Sequence, residues 1–154
     1  MSLIRILLVD DFEPWRRFVR SEIQKAPGLR IVYEASNGTE AVEIAKELKP
    51  DLILMDLQLP KLNGIDAARK IRNLVPKSKI LFLSQESSSE IVREALGMGT
   101  GFVTKADAGD ELLPAVNAVM SDRLFLSSRL TGHVFNEATD ELVSVNWGAY
   151  QCWE

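Results

Sequence analysis

The chain has 154 residues, of which 46% are hydrophobic and 26% are charged, and its formal net charge is -4. This length suits one domain with a buried core, and the negative charge argues against a protein that binds nucleic acid electrostatically. The single cysteine, Cys152, excludes a disulfide framework and a cysteine-rich metal site, and no apolar run approaches the about 20 residues of a membrane helix. We therefore expect a cytoplasmic protein that does not enter a membrane.

Apolar runs alternate with helical patterns from the N-terminus onward. IRILLV at Ile4–Val9 predicts a first strand, and the helical pattern that follows ends before Pro27. LRIVYEA at Leu29–Ala35 predicts a second strand, followed by a helix that stops at Pro50. LILM at Leu52–Met55 is short and wholly apolar, which is typical of a strand buried on both faces.

The alternation continues to about residue 121. A third helix ends at Pro76, KILFLS at Lys79–Ser84 predicts the fourth strand, and SSSEIVREAL predicts the fourth helix. GFVT at Gly101–Thr104 predicts the fifth strand, and residues 110–121 predict the fifth helix. Five strands alternating with five helices indicate an α/β fold, with a parallel sheet covered by helices on both faces. We expect one domain at residues 1–121 and a linker or tail at residues 122–154.

Polar residues stand at the carboxyl ends of four of the predicted strands. Ligands of such sheets bind beyond the carboxyl ends of the strands, so these side chains are expected to converge at one edge. They are Asp10, Asp11, Asp56, Ser84 and Lys105. Three carboxylates in one crevice repel one another unless a cation lies among them, and oxygen ligands favour Mg²⁺.

This set of groups suits phosphoryl transfer. Asp56 is the candidate nucleophile that would take a phosphoryl group and become an aspartyl phosphate. Lys105 and the metal would neutralise charge on the transferred group.

Four motifs in chain order resemble the receiver domain of two-component response regulators, the CheY-like fold, over roughly residues 3–121. They are LLVDD at residues 7–11, LILMDLQLPKLNG at 52–64, FLS at 82–84 and GFVTK at 101–105. The resemblance implies a flavodoxin-like sheet of strand order 2-1-3-4-5, flanked by five helices. It also implies a switch that catalyses only its own phosphorylation and dephosphorylation, and not a general enzyme.

The resemblance assigns the metal side of the site residue by residue. Asp56 corresponds to the phosphoacceptor, and Asp10 and Asp11 correspond to the acidic pair that organises Mg²⁺. The backbone carbonyl of Gln58 is the expected third protein ligand. The implied phosphodonor is a sensor histidine kinase or a phosphotransfer protein.

The resemblance also assigns the switch. Ser84 matches the hydroxyl that turns toward the phosphoryl group, Lys105 the lysine that contacts it, and Phe102 the aromatic residue that changes rotamer. The implied partner surface, which could also form a homodimer, consists of the fourth helix, the fifth strand and the fifth helix. Each of these residues also has a purely structural alternative. Ser84 could simply stabilise the turn after its strand, Lys105 could be a surface lysine that pairs with a carboxylate, and Phe102 could be an ordinary core residue.

Several positions depart from the common pattern. Ala106 replaces a proline of many receivers, which points to the branch with helix-turn-helix outputs and hence to regulation of transcription. Gln85 stands where the family usually has a small residue, and we expect its bulk to narrow access to Asp56. Gln58 and Glu86 stand where the family tunes the lifetime of the phosphate.

Two short stretches also have purely conformational interpretations. Asp11 could cap the helix that begins near Pro14. Asn63 and Gly64 supply residues that tolerate positive φ before the third helix.

The tail at residues 122–154 has no recognisable output domain. From Ser127 onward it carries one Lys or Arg residue, Arg129, against four acidic residues, so direct nucleic-acid binding by this chain is not expected. Either the chain is a receiver excised from a longer regulator, or it is a single-domain regulator with its own tail. The tail is rich in apolar residues, and we expect part of it to pack on the domain or on a second copy.

Two other functions stay open. A phosphatase with a nucleophilic aspartate usually has a second acid two residues later, where this chain has Gln58. A receiver that has lost phosphorylation would be a plain interaction module.

Overall fold

A computed structural model of the chain describes residues 3–85, 88–98, 101–128 and 130. Five strands form one parallel sheet in the order β2-β1-β3-β4-β5, which confirms the expected fold. The strands are β1 (Ile4–Val9), β2 (Leu29–Ala35), β3 (Leu52–Met55), β4 (Lys79–Ser84) and β5 (Gly101–Thr104). The α-helices of the described residues are α1 (Glu13–Gln24), α2 (Gly38–Leu48), α3 (Gly64–Leu74), α4 (Ser89–Leu96) and α5 (Ala108–Met120). None of them has the length and apolar character needed to cross a membrane.

The fifth helix begins earlier than the sequence pattern predicts. A short 3₁₀ helix at Lys105–Asp107 leads directly into Ala108. The hydroxyl of Thr104 donates to the Asp107 carboxylate over 2.6 Å, which holds this turn against the end of β5. Hydrophobic periodicity starts only further along the helix, so the pattern missed the first turn.

The first compact unit of the chain extends to Ile80. Within it, β1 pairs with β2 on one side and with β3 on the other. All four residues of β3 are buried, as are the last four of β1, because apolar side chains on both faces of a central strand are covered. The wholly apolar LILM segment is therefore the central strand that its composition predicted.

The loop after β3 departs from the conformational prediction. Asn63 has φ of -69° and caps α3, because its side-chain oxygen accepts from the Asp66 backbone N–H over 2.9 Å. The positive φ of this loop, 68°, belongs to Lys61. Gly64 is needed for space and not for φ, because a Cβ there would lie 2.1 Å from the Asp56 carbonyl oxygen.

The second compact unit begins at Leu81. Its β4 residues pair in register with β5, and Phe82 lies opposite Phe102. The two rings are fully buried, with centroids 6.4 Å apart and an interplanar angle of 41°. This tilted arrangement is one that aromatic pairs favour in a core.

The chain that follows α5 lies along β5. The N–H of Phe102 donates to the Phe125 carbonyl, and the N–H of Ser127 donates to the Phe102 carbonyl. Phe125 and Leu126 are buried there. The start of the predicted tail thus covers the edge of β5, whereas residues 131–154, with His133 and Cys152, lie outside the described residues.

Replacing Ser127 with alanine is expected to lower the free energy of unfolding by about 1–3 kcal/mol. Its buried hydroxyl oxygen accepts from the Thr104 N–H over 2.9 Å, and the hydroxyl donates to Glu111 over 2.6 Å. The substitution would leave the Thr104 N–H without this acceptor. Urea unfolding measures the effect.

Ser128→Ala is the matched control, since Ser128 also donates to Glu111 but is exposed. Its expected effect is within about 0.5 kcal/mol. Equal losses in the two variants would show that the Ser127 hydroxyl has no special structural role.

Candidate functional site

Three carboxylates meet where β1 and β3 end. β1 and β3 are parallel neighbours with Val9 opposite Met55, so Asp10 and Asp56 follow at the same sheet edge. Ligand oxygens of Asp10, Asp11 and Asp56 all lie within 4.8 Å of one another. Asp10 and Asp56 are buried, whereas Asp11 is exposed. The convergence expected from the strand ends is thus present for these three residues.

The backbone at this edge is held by hydrogen bonds from both sides. The Asp10 N–H donates to the Ala35 carbonyl over 3.0 Å, and the Asp56 N–H donates to the Val9 carbonyl over 3.0 Å. The Asp10 carboxylate accepts from the Phe12 N–H over 2.9 Å and closes the turn into α1. This interaction differs from the predicted capping by Asp11, because the cap residue of α1 is Phe12 and no side chain caps it.

An arginine joins this turn to a network of ion pairs. Arg16 donates to the Asp10 carbonyl oxygen over 2.6 Å, to Glu34 over 3.1 Å and to Glu13 over 2.7 Å. Arg20 donates to Glu34 and Glu13, over 2.6 Å in each case. The hydrogen bond that Arg20 donates to Glu13 lowers the pKa of the Glu13 carboxyl, and the hydrogen bonds that Arg20 donates to Glu13 and Glu34 raise the pKa of Arg20.

The sequence patterns did not predict this network of ion pairs. Glu13 and Arg16 are three residues apart on a helix, a spacing that could have indicated an ion pair. Nothing local connects either of them to Glu34, which comes from β2.

Two glycines let the loop after β3 approach its neighbours closely. A Cβ on Gly64 would lie 2.1 Å from the Asp56 carbonyl oxygen, and one on Gly38 would lie 1.8 Å from the Leu62 carbonyl oxygen. The Gly64 N–H also donates to the Leu57 carbonyl over 2.8 Å. The path of the chain from Asp56 onward is therefore set by backbone packing. Gln58, in the same loop, is exposed.

The remaining predicted site residues belong to the second unit. Ser84 ends β4 fully buried and lies opposite Thr104 in the register. Lys105 comes directly after Thr104 and is half-buried. Ser84 and Lys105 therefore lie at the same end of the β4–β5 pair, as predicted.

The finer roles of these residues stay predictions. Phe102 is fully buried beside Phe82, and a change of rotamer there is untested. Contact of Ser84 or Lys105 with a group on Asp56 is untested as well. Gln85 is exposed, and Glu86 lies outside the described residues.

The acidic cluster fits a hard divalent cation. Its donors are carboxylate oxygens, with neither imidazole nor thiolate in the group. Oxygen ligands of this kind suit Mg²⁺, and two of the three carboxylates are buried, where uncompensated like charges are costly. Asp10, Asp11 and Asp56 are therefore the residues that could hold Mg²⁺.

Comparison with known proteins gives a consistent result. The sequence profile of the response regulator receiver domain matches residues 6–117. The chain is 35% identical over 136 residues to the transcriptional regulatory protein LnrK of Bacillus subtilis, covering 88% of this chain and 62% of that protein. It is 37% identical over 127 residues to the nitrate/nitrite response regulator NarL of Escherichia coli K12, covering 82% and 59%. It thus spans about three-fifths of the length of these two relatives.

Smaller relatives are matched over nearly their full length. The chemotaxis protein CheY of Thermotoga maritima is 40% identical over 116 residues, which cover 75% of this chain and 96% of CheY. A crystal structure of a LuxR-family two-component response regulator from Aurantimonas superposes with a TM-score of 0.84 at 34% identity. That superposition covers 90% of this chain and all of the other.

Proposed function

Because this chain belongs to the response regulator receiver domain family of two-component systems, we propose that it is a signalling switch in which Asp56 accepts a phosphoryl group. One observation carries the proposal. The carboxylate of Asp56 shares a cluster, within 4.8 Å, with those of Asp10 and Asp11. A nucleophile at the end of a buried strand, beside two further carboxylates, is the arrangement that a metal-assisted phosphoryl transfer needs.

The proposed transfer uses the side chain of Asp56 as the nucleophile. A carboxylate oxygen of Asp56 forms a bond to phosphorus, the phosphorus–nitrogen bond of a phosphohistidine breaks, and the departing imidazole takes up a proton. The donor is a sensor histidine kinase or a phosphotransfer protein. Mg²⁺ bound by Asp10, Asp11, Asp56 and the Gln58 carbonyl oxygen would supply positive charge to the phosphoryl oxygens.

Three residues of the second unit would respond to phosphorylation of Asp56. Lys105 and the Ser84 hydroxyl are drawn to the new anionic group, which carries about -1.5 to -2 charges at neutral pH. Phe102 then changes its packing, and the surface of α4, β5 and α5 binds a partner or a second copy. The protein has no other enzymatic activity in this proposal and acts in the cytoplasm. LnrK is named as a transcriptional regulatory protein and NarL as a response regulator, and these names support a role in regulating transcription.

Intact mass spectrometry after incubation with acetyl phosphate tests the proposal. We expect the protein to gain the mass of one phosphoryl group with Mg²⁺ present and none after chelation with EDTA. A steady release of phosphate, without an adduct, would favour the aspartate-nucleophile phosphatase. If neither an adduct nor a beryllofluoride complex forms, the chain is an interaction module that works without phosphorylation.

A further inference from the structure

We propose that Arg16 is a positioning residue for the acidic metal site, because it fixes the peptide group between Asp10 and Asp11. This inference rests on the proposed function, and in particular on Mg²⁺ binding by the two aspartates. Arg16 lies one turn into α1 and does not itself offer a metal ligand. Its role would be to hold the two ligand-bearing residues in the orientation that the cation requires.

The contact with the turn is direct. A guanidinium nitrogen of Arg16 donates to the Asp10 carbonyl oxygen over 2.6 Å. That carbonyl belongs to the peptide group that joins Asp10 to Asp11. The hydrogen bond from Arg16 therefore restricts rotation of the peptide plane between the two residues whose side chains are the carboxylates. The other face of Asp10 is held by its own N–H, which donates to Ala35, and by its carboxylate, which accepts from the Phe12 N–H. Arg16 supplies the constraint on the carbonyl side.

The guanidinium is itself held in place. Glu34 on β2 and Glu13 on α1 each accept a hydrogen bond from Arg16, and its side chain is only 17% exposed. Three acceptors in three directions use the planar fork of a guanidinium, which a lysine ammonium does not reproduce. The Asp10–Asp11 peptide is thereby tied through Arg16 to the neighbouring strand.

A role through charge and a role in orienting the ligands predict opposite changes in Mg²⁺ affinity when Arg16 is replaced. A positive charge close to a cation site disfavours cation binding, so removing a residue that acted only through its charge would strengthen Mg²⁺ binding. Removing a residue that positions the ligands weakens Mg²⁺ binding instead, typically by tenfold or more for groups that orient metal ligands. The sign of the change therefore separates the two roles.

Arg20 provides a matched control. It donates to the same two acceptors, Glu13 and Glu34, but the contact with the Asp10 carbonyl belongs to Arg16. Arg16→Met and Arg20→Met each remove one guanidinium from the same network. Only Arg16→Met also removes the hydrogen bond to the Asp10 carbonyl oxygen.

The experiment is titration of the metal-free protein with MgCl2 by isothermal calorimetry, without a phosphodonor. We expect Arg16→Met to raise the dissociation constant of Mg²⁺ at least about tenfold. Arg20→Met should leave it within about twofold or lower it, because this change removes only charge. Arg16→Lys keeps the charge and is expected to weaken binding too, though by less than Arg16→Met.

A second measurement does not depend on metal. In the metal-free protein, the Asp10 carbonyl carbon and the Asp11 amide nitrogen should change their NMR chemical shifts in Arg16→Met and keep them in Arg20→Met. These shifts report the hydrogen bond to this peptide group, and they also reveal whether Arg16→Met is folded. If that variant is unfolded, Arg16→Lys takes its place in both measurements.

The possible outcomes are distinct. Equal Mg²⁺ affinity in the Arg16 and Arg20 variants, or tighter binding in Arg16→Met, overturns the positioning role while leaving the proposed function intact. A wild-type protein that binds no Mg²⁺ overturns the metal site of the proposed function and this inference with it.

Discussion

Replacing Asp56 with asparagine is expected to abolish phosphoryl incorporation from acetyl phosphate completely. The neutral amide keeps the shape of the side chain but lacks the carboxylate that attacks phosphorus. The same change should stabilise the metal-free protein by on the order of 1 kcal/mol, since it removes one of three clustered negative charges. Intact mass reports the first effect and thermal unfolding in EDTA reports the second.

Asp51→Asn is the control for this prediction. Asp51 lies just before β3 and its carboxylate accepts from the Arg5 N–H over 2.8 Å, at the strand end opposite to Asp56. We expect this variant to be phosphorylated like the wild type. Full incorporation in Asp56→Asn would instead assign the acceptor to another residue, with Asp10 and Asp11 the next to test.

Gly64→Ala is expected to destabilise the protein by about 1–3 kcal/mol or more and to slow phosphorylation. The new Cβ would meet the Asp56 carbonyl oxygen at 2.1 Å and the Leu57 Cα at 2.8 Å. Both neighbours are backbone atoms, so relief requires movement of the loop that carries the phosphoacceptor. Urea unfolding and the rate of incorporation measure the two effects.

Gly28→Ala serves as the control, because a Cβ at Gly28 would have nothing within 4 Å and its φ is not in the left-handed region. Its expected effect is neutral or a gain of about 0.4–1 kcal/mol, through the lower conformational entropy of the unfolded chain. If Gly64→Ala unfolds at the same urea concentration as the wild type, the loop accommodates the methyl group. The close approach of the Asp56 carbonyl oxygen would then not require glycine at position 64.

The order of the elements, and the end of the sheet at which the acidic residues lie, can be predicted from the amino-acid sequence alone. Apolar runs and helical spacing are local properties, and a wholly apolar segment such as Leu52–Met55 indicates a central strand without any knowledge of its neighbours. The carboxyl ends of parallel strands lie at one edge of a sheet. Because Asp10 and Asp56 each follow such a strand, their sequence positions were enough to predict that they lie close together. The motifs, through the family they resemble, supplied the strand order.

The contacts that hold this edge of the sheet in place become visible only in the folded structure. The link from the Asp10 carbonyl through Arg16 to Glu34 joins a turn, a helix and a second strand, and no local pattern relates them. Asn63 caps a helix while Lys61 takes the positive φ, although Asn is the residue type that adopts positive φ more readily. The packing of Ser127 along β5 likewise depends on an edge that exists only once the sheet has formed. Hydrophobic burial can be inferred from sequence because it follows local periodicity, whereas polar contacts between distant segments depend on where the folded backbone places them.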